Sequence, residues 1–394
     1  MDRTRLADHD SPDASPPPPH RPRTVPKKPA PRPLDRPFLH LPQRAQLRGP
    51  FPPETRLAHP RPSSRLDPVC ALAQRLGLGR PQATRLNAMR LTVAICTYHR
   101  AEFLRQTLAS LARQTFPRDQ FEVLVIDNNS PDHTAAVVAE FASTPLAPRH
   151  ILEQQQGLDY ARNRAIAEAR GDVILFADDD ILARPDWLTH IFAPFASDAC
   201  DRIGAVGGEV IPVFPDGLPP WVAEWHAPLA FRADAGPLPS RHSPMGANLA
   251  IPRAVFTRVG VFHTALDRAA GNYFSGGDSE MIRRIRAAGL EIWFAPAAAV
   301  RHQMPASRTT FRYAARHAFD SARSRTIDRA GQPGGRSYLA TRWLANILKT
   351  LGYAVVALLA VCVLRTGDAK KSLVRAWRSC GYLYQIPRSL LGKI

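Results

Sequence analysis

GDVILFADDD, at residues 171–180, joins an apolar run to three consecutive acids. Residues 173–177 lack polar alternation, which is typical of a strand buried on both faces of a mainly parallel sheet. Asp178, Asp179 and Asp180 follow where that strand should end, and open α/β sheets bind their ligands at the carboxyl ends of their strands. This stretch therefore predicts both the fold class and the location of the site.

The three acids admit two interpretations. Adjacent carboxylates repel one another, so the cluster is costly unless solvent or a cation balances it. A hard divalent cation, Mg²⁺ or Mn²⁺, is one such partner and is often shared with a substrate phosphate. The alternative is a solvated acidic turn before a helix that opens at Pro185 and Asp186. A bare Asp-Asp-Asp does not decide between them.

Strands and helices alternate upstream of this stretch. We expect strands at 91–97, 121–126 and 150–152, and helices at 101–114, 131–141 and 158–169. The strands are rich in uninterrupted apolar residues, whereas apolar residues recur at helical spacing in the first helix. This alternation predicts an α/β protein with a doubly wound, mainly parallel sheet and right-handed crossovers.

Polar residues follow several of the predicted strands. Thr97 and Arg100 come after the first strand, Asp127 and Asn128 after the second, and the three acids after the fourth. Each group alone is compatible with a turn, because Asp, Asn and Ser favour turns for backbone reasons. A parallel topology brings the groups to one crevice, so we interpret them together as a nucleotide site.

Charge is divided unevenly along the 394 residues. Residues 1–90 hold 17 Lys and Arg against 7 Asp and Glu, and residues 301–394 hold 17 against 3. Because the whole chain carries +18, residues 91–300 carry −6. The acidic middle argues against nucleic acid as a partner, and the basic ends favour a membrane surface. Five cysteines without paired spacing favour a reducing compartment.

Residues 1–88 are rich in Pro and Arg and lack apolar periodicity. They predict a disordered or polyproline-like extension that contributes nothing to catalysis. Met89 lies two residues before the first predicted strand, and we expect a chain that begins there to fold with unchanged stability and full transfer activity. The alternative is a basic tether that recruits a partner through its Pro-Arg runs.

Seven motifs carry a resemblance to a known family: VAICTYHR, VLVIDNNS, GLDYARNRAI, VILFADDD, GANLAIPR, GGDSEM and AVRH. In this order and at these spacings they resemble the family 2 glycosyltransferases with the GT-A nucleotide-diphospho-sugar transferase fold, over roughly residues 90–312. The similarity is greatest to bacterial enzymes of surface polysaccharide synthesis. It implies a nucleotide-diphosphate sugar donor, with a UDP-sugar favoured, a divalent metal (Mn²⁺ or Mg²⁺) and inversion of the anomeric centre.

The resemblance also implies roles for individual residues. The donor-binding residues would be Thr97, Arg100, Asp127, Asn128, Arg162, Asp178 and Asp179. The metal ligands would be Asp180, Asp178 and His302. Two departures leave the ligand set open, because Asn128 stands where many members have a second Asp and Asp179 turns the Asp-x-Asp motif into a triple Asp.

The acceptor side is expected in the second half of the chain. Asp278 begins a predicted amphipathic helix and has a simple interpretation as its N-cap. Its chemical interpretation is the general base that removes the proton from an acceptor hydroxyl, with Glu280 as the next candidate. Trp221 and Trp225 are candidates for packing on sugar rings, or equally for packing within their own loop.

Beyond residue 311 the chain turns basic and then apolar. A basic helix is expected at 311–329, and the apolar run 351–364 would reach about 21 Å as a helix, short of a ~30 Å hydrocarbon core. Extending it back to Trp343 would span the core but would bury Lys349. We expect a helix lying in or dipping into the inner leaflet, followed by a basic tail. The alternative is a buried helix of a globular cap.

Together these observations predict three regions: an extension (1–88), a GT-A glycosyltransferase domain (89–310) and a membrane-associated region (311–394). The expected activity is metal-dependent, inverting sugar transfer to a glycan or lipid-linked acceptor in surface polysaccharide or glycolipid synthesis, at the cytoplasmic face of the inner membrane. A nucleotidyltransferase of sugar phosphates is one alternative. Such an enzyme needs a glycine-rich, lysine-bearing phosphate loop after the first strand, and the residues CTYHRAEF found there are not such a loop. A basic nucleic-acid- or membrane-binding adaptor is the other.

Overall fold

The apolar runs of the first half fold into the strands that they predict. The structure, a computed structural model, describes residues 90–197, 199–214, 217–222, 234–266 and 272–392. The predicted extension at 1–88 and the aromatic candidate Trp225 therefore lie outside the described residues. Everything below concerns the described ranges.

Nine strands form one mixed sheet. They are β1 (Leu91–Thr97), β2 (Phe121–Asp127), β3 (Arg149–Leu152), β4 (Val173–Asp178), β5 (Ile181–Ala183), β6 (Ile203–Val213), β7 (Gly236–Pro237), β8 (Asn248–Pro252) and β9 (Glu291–Gln303). Their order is β3-β2-β1-β4-β8-β6-β9-β5, and β7 pairs with β9 at the side of this path. β1 to β4 are parallel to their neighbours in this group, whereas β8 runs antiparallel to β4 and β6.

The register of the parallel strands aligns their carboxyl ends. Thr97 of β1 lies opposite Asp127 of β2, and Cys96 lies opposite Asp178 of β4. The polar residues that follow these strands therefore meet at one edge, as the parallel topology predicts.

β9 is the longest of the described strands, with 13 residues. It continues to Gln303, pairs in parallel with β6 and pairs antiparallel with β5. Its register against β6 shifts between Gly208 and Val210, opposite a stretch that contains Pro296. A bulge is how a sheet accommodates a proline, which lacks the N–H for a ladder hydrogen bond. As a result His302 lies inside the strand, opposite Ile181 of β5, and not after it.

Helices cover both faces of the sheet and continue beyond it. They are α1 (Ala101–Leu111), α2 (Thr134–Glu140), α3 (Leu158–Glu168), α4 (Trp187–Phe192), α5 (Arg253–Val259), α6 (Gly277–Ala287), α7 (Phe311–Ala330), α8 (Gly335–Cys362) and α9 (Thr366–Leu390). Short 3-10 turns occupy Arg118–Gln120, Ala193–Ala196, Cys200–Arg202, Thr264–Leu266 and Ala306–Thr309. α1 and α2 are each shorter than the sequence predicts.

Alternate residues of the buried strands enter two separate hydrophobic clusters. Val93 and Ile95 pack with Leu104 of α1, whereas Ala94 and Phe176 belong to the cluster on the other face, which includes side chains of α3, α5 and α6. Both faces are apolar because both are covered, and this explains the absence of polar alternation in these strands. The architecture is therefore the three-layer α/β arrangement expected from the sequence.

α8 begins well before the residue at which the apolar run suggested a start. Its 28 residues correspond to about 42 Å. Among the described helices it is the one that is long and apolar enough to cross a membrane by length and composition alone. Only 17% of its most apolar window is buried, and Leu344, Leu348 and Leu351 are largely exposed.

Candidate active site

Two of the three consecutive acids face His302. The Nε2 atom of His302 lies 3.4 Å from Oδ2 of Asp178 and 3.2 Å from Oδ1 of Asp180. The ligand atoms of the three side chains lie within 4.8 Å of one another. The pairing of β5 with β9 creates this arrangement, because it places His302 opposite the residue that follows Asp180.

Asp179 points away from this cluster. It accepts a hydrogen bond from Thr97 Oγ1 at 2.7 Å and forms an ion pair with Arg100 at 2.6 Å. Burial, opposed by the charge of Arg100 and reinforced by that of Asp180, raises the pKa of Asp179 to about 6. Asp179 therefore positions Thr97 and Arg100, whereas Asp178 and Asp180, at the strand end and in the turn that follows it, face His302.

The donor set fits a hard divalent cation. Oδ1 of Asp180 is buried and has no hydrogen-bond partner among the described residues, so a polar atom is left for a ligand. Burial opposes ionisation of Asp178, but the hydrogen bond from His302 and its charge hold the pKa of Asp178 well below its usual range. Two carboxylates and an imidazole suit Mn²⁺ or Mg²⁺ in a site completed by substrate oxygens.

Positive side chains already balance the other oxygen of Asp180. Nη2 of Arg100 lies 2.5 Å from Oδ2, and Nη2 of Arg308 lies 3.8 Å from the same atom. The cluster therefore has two environments: one oxygen neutralised by guanidinium groups and one facing His302. A solvated acidic turn is therefore excluded for Asp180, because its side chain is fully buried.

Asp127 and Asn128 occupy the next strand end but serve different local purposes. Asp127 accepts from the backbone N–H of Ser130 at 2.9 Å and lies 3.2 Å from Nε2 of His150. The Asn128 amide donates to the carbonyl of Gln155 at 2.6 Å and accepts from the N–H of Gly157 at 2.7 Å. An amide can do both, whereas an ionised carboxylate only accepts, which gives a physical reason for Asn at this position.

Asp278 lies in the first turn of α6 but does not cap it. The N-cap residue is Gly276, and no side chain caps the helix. Instead Oδ1 of Asp278 lies 2.8 Å from Nη1 of Arg162, and Oδ2 accepts the N–H of Gly246 at 2.9 Å. The N-cap interpretation of Asp278 is therefore wrong, because both of its oxygens face groups outside the helix.

Asp159 is a member of this site that the sequence reasoning missed. It lies 3.2 Å from Nη1 of Arg162, so Arg162 bridges two carboxylates while being almost completely buried. A Cβ on Gly277 would lie 2.9 Å from Oδ2 of Asp159, and one on Gly246 would lie 2.3 Å from Nη2 of Arg162. The available signal was the spacing of three residues between Asp159 and Arg162, which places both on one helix face.

Glu280, the second candidate base, is engaged elsewhere. Its two carboxylate oxygens accept from the guanidinium of Arg284 at 2.8 Å, one turn along α6, and its side chain is buried. The geometry therefore favours Asp278 over Glu280 as the carboxylate available to an acceptor.

One cavity of about 230 Å³ joins the two groups of acids. Asp178 and His302 line it, and so do Asp278 and Arg162. The remaining residues proposed for the donor, Thr97, Arg100, Asp127, Asn128 and Asp179, lie outside its lining, as does Asp180 behind Asp178. The cavity therefore brings together the metal-binding edge and the proposed base.

The helix after the predicted domain boundary also contributes to the cavity. Tyr313 and His317 of α7 line it, with their rings stacked at 5.8 Å. α7 also holds the loop before Asp278, because Ser324 Oγ donates to the carbonyl of Ser275 at 2.6 Å and Asp320 accepts the N–H of Tyr273 at 3.0 Å. The boundary at residue 310 stays a prediction.

Trp221 packs against α7 rather than into the cavity. Its ring lies 6.2 Å from that of Phe311, and the ammonium of Lys370 lies 5.6 Å from its centroid. Of the two interpretations left open by the sequence, the structure supports packing within the protein for Trp221.

Comparison with known proteins gives similarity to glycosyltransferases. Residues 92–260 match the model of glycosyl transferase family 2. The chain is 30% identical over 207 residues to glycosyltransferase AglE of Haloferax volcanii, a match that covers 52% of this chain and 64% of that protein. It is 26% identical over 253 residues to the succinoglycan biosynthesis protein ExoM of Rhizobium meliloti, covering 63% and 75%.

A solved structure gives the same fold. The mannosyltransferase PcManGT from Pyrobaculum calidifontis, solved in complex with GDP-Man and Mn²⁺, superposes with a TM-score of 0.53 at 22% identity, covering 82% of this chain and 93% of that one. At this identity the similarity concerns the fold alone. The chain therefore has the GT-A fold, and its residues 92–260 match glycosyl transferase family 2.

Proposed function

We propose that this protein is an inverting, metal-dependent glycosyltransferase that moves a sugar from a nucleotide-diphosphate sugar to an acceptor hydroxyl. The observation that carries the proposal is the cavity itself, whose lining contains Asp178 and His302 as well as Asp278. Direct displacement needs these two functions on opposite faces of the sugar, because the acceptor must enter opposite the leaving diphosphate.

The metal-binding edge provides for the leaving group. Asp178, Asp180 and His302 would hold Mn²⁺ or Mg²⁺, and the bound cation would supply positive charge opposite the diphosphate. Arg308 lines the same side of the cavity and adds a fixed positive charge. Thr97, Arg100, Asp127 and Asn128 are proposed to bind the nucleoside end of the donor at the neighbouring strand ends.

The acceptor edge provides the base. The carboxylate of Asp278 takes the proton of the acceptor hydroxyl as its oxygen forms the bond to the anomeric carbon, and the bond from that carbon to the diphosphate breaks with its electron pair leaving on the diphosphate. Arg162 at 2.8 Å and the N–H of Gly246 at 2.9 Å fix the orientation of Asp278. Attack from this side inverts the anomeric configuration.

We propose a role in the synthesis of cell-surface polysaccharide or glycolipid. The similarity to ExoM, a succinoglycan biosynthesis protein, supports the class of product. The fold similarity to a mannosyltransferase solved with GDP-Man and Mn²⁺ is consistent with a sugar-nucleotide donor and a metal. The preference for a UDP-sugar stays a prediction.

We also propose that the protein lies on the cytoplasmic face of the membrane through α8. Leu339, Asn346, Ala357 and Ala360 of this helix are buried, while much of its remaining surface is exposed and apolar. A helix packed along its length on a basic bundle fits a position in the interface better than a spanning one.

A donor screen tests the proposal. Purified full-length protein is incubated with UDP- and GDP-sugars, with Mn²⁺, with Mg²⁺ or with EDTA, and release of the nucleotide is followed. We expect release that depends on a divalent cation, and NMR of the glycosylated product should show an inverted anomeric centre. Release that is unchanged in EDTA contradicts metal dependence, and retention of configuration contradicts the single-displacement step.

A further inference from the structure

A second pocket lies between the C-terminal helices, away from the catalytic cavity. Its volume is about 370 Å³, and it is lined by residues of α7, α8 and α9 together with Gln332 from the connection between α7 and α8. Three arginines, Arg325, Arg329 and Arg342, and two tyrosines, Tyr338 and Tyr382, dominate this lining. We call it the arginine pocket.

The positive charge of the arginine pocket is not balanced from within. Asp328 is the acid in its lining, and both of its oxygens are already engaged by the guanidinium of Arg283. Within the described residues neither Arg325 nor Arg342 forms an ion pair. Such a cluster favours an anion, because unpaired cations held together raise the local potential.

Neighbouring groups show the same excess of charge. Burial, reinforced by the charge of Arg325, lowers the pKa of Arg378 on α9. The guanidinium groups of Arg329 and Arg342 lie 4.9 Å and 5.7 Å from the ring centroid of Tyr338, so one aromatic ring orients two cations. Planar guanidinium groups fixed in this way match the oxygens of a phosphate in pairs.

The surroundings indicate that the phosphate belongs to a lipid. Trp343 and Leu344 follow Arg342 directly, and Leu344, Leu348 and Leu351 are each more than half exposed. Residues 301–394 carry 17 Lys and Arg against 3 Asp and Glu, which complements an anionic membrane surface. A soluble phosphate ester would gain nothing from these apolar side chains.

We propose that the arginine pocket binds the phosphate group of an anionic phospholipid at the membrane surface, with α8 lying in the interface beside it. The guanidinium groups of Arg325 and Arg342 and the hydroxyl of Tyr382 provide the donors. The site takes part in no step of sugar transfer, so it is independent of the activity proposed above.

Vesicle flotation of the full chain tests this site. The probes are vesicles of phosphatidylcholine alone and of phosphatidylcholine with phosphatidylglycerol, without any sugar nucleotide. We expect the Arg325→Gln/Arg342→Gln variant to bind phosphatidylglycerol vesicles roughly 30-fold more weakly, since each basic residue near an anionic surface contributes about five-fold. The matched control is Arg113→Gln/Arg170→Gln, which removes the same charge from two exposed arginines of the sheet domain. It should bind as the wild type does.

Two further variants separate a site from diffuse charge. Arg325→Lys/Arg342→Lys keeps the charge but loses the paired donors, and Tyr382→Phe removes one hydroxyl, so both should bind more weakly than the wild type. Wild-type binding by the lysine variant, or an equal loss in the control, overturns the proposal. So does protection against thermal unfolding by glycerol 3-phosphate, dependent on the same arginines, without a preference for phosphatidylglycerol vesicles, because the ligand would then be soluble.

Discussion

The carboxylates of Asp180 and Asp278, in the two groups of acids at the candidate site, have different surroundings. On the metal-binding side, Oδ1 of Asp180 is buried, faces His302 and has no hydrogen-bond partner among the described residues. On the acceptor side, Oδ1 of Asp278 also lacks a hydrogen-bond partner among the described residues, but it lies 2.8 Å from the guanidinium of Arg162, and Oδ2 accepts the N–H of Gly246. Oδ1 of Asp180 therefore faces an imidazole, which can share a cation with it, whereas Oδ1 of Asp278 faces a fixed positive charge. The difference shows how one cavity can contain acids with separate roles.

The largest expected effect comes from Asp180→Asn on the metal-binding side. The amide keeps the shape but weakens cation binding, and transition-state charge stabilisation by a metal contributes several kcal/mol, so transfer should fall about 10³-fold. Mn²⁺ binding, followed by electron paramagnetic resonance, should be lost in parallel. Asp186→Asn is the control, because Asp186 pairs with His190 and Arg184 outside the cavity. If Asp180→Asn bound Mn²⁺ as strongly as the wild type does, Asp180 would not be a metal ligand.

Asp278→Asn should separate the two sides most clearly. Transfer is expected to fall between about 10² and 10⁴-fold, the usual contribution of a general base, while the dissociation constant of the donor stays unchanged. Isothermal titration with donor and single-turnover transfer measure the two quantities. In Glu280→Gln the ion pair with Arg284 is weakened, so the melting temperature should drop while the folded enzyme keeps its transfer rate. Undiminished transfer by Asp278→Asn would place the base elsewhere.

Gly246→Ala tests whether the position of Asp278 matters as well as its charge. The added Cβ would lie 2.3 Å from Nη2 of Arg162 and 2.5 Å from Oδ1 of Asp278, so the pair must move. A displacement of about 1 Å costs up to about 10²-fold in rate, and kcat should fall with little change in donor affinity. Gly331→Ala is the matched control, since the nearest neighbouring atom to an added Cβ there, the carbonyl oxygen of Asp328, lies 3.7 Å away. Equal kcat in the two variants would show that the acceptor side tolerates movement.

Ser324→Ala should have the smallest effect, and only on the acceptor side. It removes the hydrogen bond from α7 to the carbonyl of Ser275, in the loop before Asp278. A lost hydrogen bond of about 1 kcal/mol corresponds to roughly five-fold in kcat, with Mn²⁺ binding unchanged. Ser389→Ala, which alters a hydrogen bond inside α9, should leave kcat as it is. A loss of Mn²⁺ binding in Ser324→Ala would mean that the two sides are not separate.

The metal-binding side was largely predictable, because its residues follow strands whose apolar runs are continuous in the sequence. Thr97, Asp127 and Asp178 end neighbouring parallel strands, and topology alone brings them together. The acceptor side was predicted less completely. The donor role of Arg162 stays a prediction, but its contact with Asp278 was not foreseen and Asp159 was missed, since these contacts depend on how the side chains of α3 and α6 meet, which no local pattern contains. β5 was also missed, because three residues are too few to show a period.

The position of β5 has a consequence for the order in which the protein assembles. β5 is translated before β6, β8 and β9, yet it lies at the end of the sheet and, among the described strands, pairs with β9 alone. A nascent chain that has emerged through β5 therefore has the acids of the first half but no strand to hold them against His302. Closing such a long loop is a slow, late event in folding. The proposed cation site is thus complete only when the last strand docks, and on this proposal the emerging chain cannot take up metal there before its sheet is complete.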